Sequence, residues 1–159
     1  MAALTALILA QVAKVVVHHA LTGDWEPARC LTSGGMPSSH TAAAAALAAA
    51  LAISPGPGSD AFAVAAVLAA VVCYDASGVR LHAGRTASVL NLIVTELPGD
   101  HPAAAAAAAG PAGRLREALG HTPVQVFAGA GLGGGIGLLV GVLHAWAAAT
   151  KAPVGPGPG

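Results

Sequence analysis

A chain of 159 residues that is 55% hydrophobic and only 9% charged cannot present the wet surface of a soluble domain, where about a quarter of residues are charged. Seven basic and seven acidic side chains cancel, which removes the basic patch that nucleic-acid binding requires. Cys30 and Cys73 are too few and too far apart for a disulfide framework or a paired metal motif, and no HExxH spacing occurs, so neither metal nor cofactor is expected.

The first apolar stretch, residues 2–21, resembles a signal peptide only superficially. No basic residue precedes it and Lys14 falls within it, so a membrane helix is the better reading. Gly23-Asp24 and Ser33-Gly34-Gly35 then break the chain. The second stretch, residues 41–53 and helical from about Ser39, is short for a span of roughly 20 residues and needs tilt, a thin bilayer or protein cover. After Pro55-Gly56-Pro57-Gly58 comes the third, residues 61–74 running toward Val79.

Val89, Leu90, Ile93, Val94 and Leu97 recur at helical spacing and predict a fifth helix over 86–96, interfacial or packed on the bundle. Residues 98–113, with seven consecutive alanines, read as a low-complexity linker holding at most a short helix. The last stretch, residues 123–149, carries seven glycines from Gly129 to Gly141. In lipid such spacing allows close helix contact, and no dinucleotide loop fits, because neither a preceding strand nor a following acid is in place. The Pro/Gly tail, 153–159, is expected to be disordered. The expectation is an all-α polytopic bundle of about four membrane helices plus one packed helix, forming a single domain over 1–152.

Counting crossings brings Arg29, Arg80, Arg85, Arg114 and Arg116 to one face and leaves Lys151 on the other. By the positive-inside rule the arginine face is cytosolic, or stromal in a plastid. The polar motifs gather on that same face.

Met36-Pro37-Ser38-Ser39-His40 opens the second helix with cap-forming serines and a proline, leaving free N–H groups for an anion. Gly120-His121-Thr122-Pro123 opens the last helix in the same way. Two histidines so placed suit a nucleophile and a general acid in phosphoryl transfer. Asp75, near the membrane boundary, needs a partner, and Arg80 and Arg85 are within reach of it or of a phosphate. Lys14, inside the first helix with His18 one turn on, is placed to reach an anion. His19, His82, His101 and His144 lack comparable context.

Residues 33–42 (SGGMPSSHTA), 74–91 (YDASGVRLHAGRTASVLN) and 120–133 (GHTPVQVFAGAGLG), in that order, resemble the divergent membrane branch of the type 2 phosphatidic acid phosphatase and vanadium haloperoxidase superfamily. The resemblance spans nearly the whole chain apart from 98–113 and the tail. It implies that His121 is the nucleophile, that His40 protonates the leaving group, and that Lys14 and Arg29 stand for an early basic pair set at unusual spacing. Two positions depart from the pattern: Leu115 stands where an arginine is expected, and Gln125 replaces the acid that orients the nucleophile. The candidate site is therefore His121, His40 and Asp75 for catalysis, with Lys14, Arg80, Arg85, Ser38 and Ser39 for phosphate. The implied activity is hydrolysis of a lipid phosphomonoester or diphosphate in a bacterial inner membrane or a plastid membrane. The alternative is an inactive relative serving as a structural subunit of a larger membrane complex.

Overall fold

The structure, a computed structural model, describes residues 1–32, 34–109, 113–117 and 119–151. The expected tail, 153–159, lies outside them. Helix α1 (Ala2–Thr22) ends at Gly23, whose left-handed φ of 83° turns its N–H back onto the His19 carbonyl. A 3-10 turn over Pro27–Leu31 follows. Ser38 caps α2 (Ser39–Ile53), accepting from the Thr41 N–H, and Ser59 caps α3 (Asp60–Tyr74), accepting from the Phe62 N–H at 3.2 Å. Next come α4 (Arg80–Thr95), the short α5 (Pro102–Ala108) within the expected linker, and α6 (Pro123–Lys151).

One expected connection is itself helical. The sequence carries the third stretch toward Val79 and starts the next helix near Thr86; in the structure a π turn over Asp75–Val79 joins α3 directly to α4, which begins at Arg80. Gly78 does not stop the helix, because Ser77 bonds back to the Cys73 carbonyl at 2.8 Å and the widened turn absorbs one extra residue. The combined element, Asp60–Thr95, is 36 residues long. At about 1.5 Å per residue it exceeds the roughly 30 Å hydrocarbon core, so it extends past the bilayer at one end.

The interior is made of small residues. Ala2, Ala6 and Ala10 of α1 pack with Ala42 and Ala46 of α2, and Leu132, Ile136 and Val140 of α6 close over them. The large side chains point outward instead: Leu4, Ile8 and Val12 on α1, Val64, Val67 and Val71 on α3, and Leu139, Val142 and Leu143 on α6 are all exposed. An apolar exterior around an alanine and glycine interior is the arrangement lipid demands, since large side chains lose nothing by facing hydrocarbon and small ones let backbones approach. The fold is a helical membrane bundle in which α1, α3–α4 and α6 are long enough to cross and α2 is the short, sheltered helix.

Helices α2 and α6 run parallel in close contact. A Cβ at Gly129, Gly133 or Gly137 would collide with the carbonyl oxygens of Ser38, Ala42 or Ala46 in turn, and one at Gly141 would press on Ile53 and Ala50. This four-residue repeat on both helices fixes their register. It also brings both N-termini to the same end of the bundle.

Candidate active site at the end of the bundle

That end is stitched together by backbone bonds. The Ser38 N–H donates to the Gln125 carbonyl at 3.0 Å, tying the start of α2 to the first turn of α6. The His121 N–H donates to the Ala76 carbonyl at 2.9 Å, so the π turn anchors the residue before α6. Gly120, at φ 79°, lies so near the backbone of Arg80 and Leu81 that no side chain would fit.

His121 is 4% exposed. Its Nδ1 lies 3.2 Å from Gln125 Oε1, and the same oxygen accepts from the Thr122 N–H, also at 3.2 Å. A backbone N–H can only donate, so the Gln125 atom between them is the oxygen, and Nδ1 must carry the ring proton. In the neutral ring, Nε2 is then the basic, nucleophilic nitrogen. Burial lowers the His121 pKa below the usual histidine value; the Gln125 bond opposes this, the nearby charges of Lys14 and His40 reinforce it, and the Gly35 backbone opposes it. The outcome is a neutral imidazole.

Lys14 is 2% exposed, and its Nζ donates to the Thr32 carbonyl at 2.9 Å and to Ser39 Oγ at 3.4 Å. Among the described residues it has no carboxylate partner within salt-bridge distance. A buried ammonium in this setting is a strong attractor for an anion. Beside it opens a cleft of about 180 Å³, bordered by Lys14, His18, Arg29, Thr32, Gly35 and Gln125. His40, exposed in the first turn of α2, lies at this same end of the bundle. The positive ends of the α2 and α6 dipoles converge here.

The structure thus gathers Lys14, Ser38, Ser39 and His121 at one end of the bundle, with His40 exposed in the first turn of α2, and the residues that border the Lys14 cleft include neither histidine. Ser38 is fully buried and its hydroxyl is engaged with Thr41, at 2.9 Å from Oγ1, so it builds the cap, whereas Ser39 Oγ meets Lys14. Asp75 pairs with Arg80 across the π turn at the surface, and the His121 ring is held by Gln125 instead. Arg80 and Arg85 are exposed on α4 and do not border the Lys14 cleft.

Sequence reasoning overlooked Asn91, which is buried in α4. Its amide accepts from the Leu115 N–H at 3.0 Å and donates to the Leu115 carbonyl at 2.9 Å, standing in for a strand partner. Glu117 is held by Asn91 at 2.6 Å and by Ser88 at 2.9 Å, and these two bonds keep its carboxyl below the usual range. Together they pin the segment that leads into His121. A lone asparagine between Leu90 and Leu92 was the available signal.

Fold and site together define a polytopic helical membrane protein with a buried lysine and a buried histidine at one end of the bundle. Comparison with known proteins makes this specific: residues 1–136 match the Divergent PAP2 family, and the chain belongs to it. It is 37% identical over 152 residues to the uncharacterized membrane protein YuiD of Bacillus subtilis (strain 168), covering 92% of each chain. The chain is accordingly an integral membrane protein. No solved structure matches it.

Proposed function

We propose that this protein hydrolyses a phosphoric ester on a membrane lipid, with His121 as nucleophile. The observation that carries the reading is His121 itself: buried, with the Nδ1 proton fixed by Gln125 Oε1, which leaves Nε2 as the unprotonated nitrogen of the neutral ring.

In the proposed reaction the Nε2 lone pair attacks phosphorus. The bond from phosphorus to the leaving oxygen breaks with its electron pair on that oxygen, which takes a proton from the His40 imidazolium. Water then attacks the phosphohistidine and gives its proton to His40. The P–N bond breaks toward His121, and phosphate departs. Lys14, Ser39 and the first-turn N–H groups of α2 stabilise the charge spread over the phosphoryl oxygens. Asp75 and Arg80 act at a remove, bracing the π turn whose Ala76 carbonyl seats His121. Gln125 fixes the tautomer but lacks the carboxylate charge that would stabilise an imidazolium; in a related dyad that loss costs about 10⁴ in rate. A slow enzyme is therefore expected. The arginine-rich end is read as cytosolic, which would present the site to lipid headgroups of the inner leaflet.

The test is phosphate release from a panel of lipid phosphates by detergent-purified protein, beside His121→Ala, with acid-labile phosphohistidine trapped by rapid quench. Release and trapping that vanish in the variant support the reading. A folded protein that releases nothing from any substrate would overturn it and favour a subunit of a membrane complex.

A further inference from the structure

At the end of the bundle opposite His121, the start of α1, the last two turns of α2 and the outer part of α6 enclose a groove of about 190 Å³. Its depth is apolar: Ala2 and Ala3 of α1, Leu47 and Ala50 of α2, and Val140 and Gly141 of α6. Small side chains make the room. The close contact between α2 and α6 has its last touch at Gly141, which meets Ile53 and Ala50, and the helical part of the α1 wall offers only the methyl groups of two alanines. The α6 wall lies beyond residue 136, outside the family match.

The polar side chains on the border belong to Ser54, exposed just past α2, and His144, exposed on α6. His144 Nδ1 lies 3.1 Å from the Val140 carbonyl. A carbonyl oxygen only accepts, so Nδ1 carries the ring proton and Nε2 of the neutral ring is a hydrogen-bond acceptor. His144 stands about six turns beyond Pro123, roughly 30 Å along α6, which is the thickness of the hydrocarbon core. Trp146, 67% exposed, follows two residues later, as an indole at the membrane–water boundary does. The groove therefore has its apolar depth at the level of acyl chains and its polar rim at the level of headgroups.

We propose that this groove binds one membrane phospholipid, which lays part of an acyl chain against Ala3, Leu47 and Val140 and brings a hydrogen-bond-donating headgroup to His144 Nε2. A groove between membrane-spanning helices fills with what surrounds them, and at this depth that is hydrocarbon; water gains nothing from a lining without polar partners. The volume is too small for a whole lipid, so the rest of the molecule stays in the bilayer. The acceptor at the rim sets the preference. A primary ammonium, as in phosphatidylethanolamine, offers N–H groups to Nε2, whereas the trimethylated ammonium of phosphatidylcholine has none. The site stands apart from the His121 end and depends on no reaction there.

The test titrates dioleoylphosphatidylethanolamine and dioleoylphosphatidylcholine, each alone, into delipidated full-length protein in detergent and counts bound lipid by native mass spectrometry. Wild type should take up one lipid saturably and bind the ethanolamine lipid about fivefold more tightly, the worth of one hydrogen bond. Ala3→Phe, which fills the groove, should abolish that uptake, with circular dichroism showing the variant folded. His144→Phe removes only the acceptor and should bring the ethanolamine lipid down to the level of the choline lipid. Leu139→Ala, on the exposed face of α6 outside the groove, should change neither. Equal affinity for the two lipids in wild type, or an undiminished preference in His144→Phe, overturns the proposal. So does stepwise uptake without saturation that is the same in Ala3→Phe, which is how annular lipid behaves. A two-chain mass without lipid gives the groove to a second copy and overturns it as well. Should Ala3→Phe fail to fold, the His144→Phe comparison decides.

Discussion

Gln125 occupies the position from which the nucleophile is oriented, and its one oxygen receives both the Thr122 N–H and His121 Nδ1. Replacing it with the isosteric glutamate keeps this geometry and adds the charge that an imidazolium needs. Gln125→Glu should therefore raise kcat, by tenfold or more given the size of the effect in a related dyad, and steady-state kinetics will check it. The His121 pKa is lowered chiefly by burial, so the ring stays neutral as pH falls through the usual histidine range near 6.5. The acid limb of kcat/KM should accordingly lie below pH 6.5, and Gln125→Glu should move it upward, because a carboxylate favours the protonated ring. The same shift has a sign for stability. Below about pH 6.5 the unfolded chain takes up a proton that the folded ring refuses, so His121 makes folding less favourable as pH falls through that region. A pH titration of unfolding in detergent, with His121→Ala as reference, should show that slope reduced in the variant.

At the scale of elements, the α2–α6 contact depends on the absence of side chains at particular glycines rather than on glycine content. Gly133 faces the Ala42 carbonyl with no room for a Cβ, whereas nothing lies within 4 Å of a Cβ at Gly131 or Gly134. Gly133→Leu should separate the helices and destabilise the bundle by about 3 kcal/mol or more. Gly131→Ala should be neutral or gain about 0.5 kcal/mol through helix propensity. Thermal or denaturant unfolding of both variants in one detergent makes the comparison. Asn91 supports a second contact. Asn91→Leu leaves the Leu115 N–H and carbonyl without that partner, which costs about 1–3 kcal/mol for each group that stays dry. It should also lower kcat, because the segment leading to His121 loses its anchor on α4.

For the molecule as a whole, two parallel helix starts, one π turn and one clamped segment meet at a single end, and the arginines lie at that same end. Single cysteines placed at Gly56 and at Arg114 should react with a membrane-impermeant thiol reagent from opposite faces, with position 114 reached from the cytosolic side; labelling from the same face would overturn the proposed topology. The sequence by itself determined the membrane class, the helices, the short second span and the two histidines at helix starts. Those features follow from local composition, periodicity and cap chemistry, which act within a few residues. It started the fifth helix near Thr86, because the apolar spacing that marks a helix begins only at Val89, whereas the π turn carries α3 straight into α4 from Arg80. The tertiary structure alone decided that Lys14 lies by Ser39, that Asp75 turns to Arg80 while Gln125 holds the His121 ring, and that Asn91 positions the segment beside the cleft. Each of these is a contact between groups distant in the chain. Their partners are chosen by which small residues let helices approach, a choice made by packing across the bundle and not by any one segment.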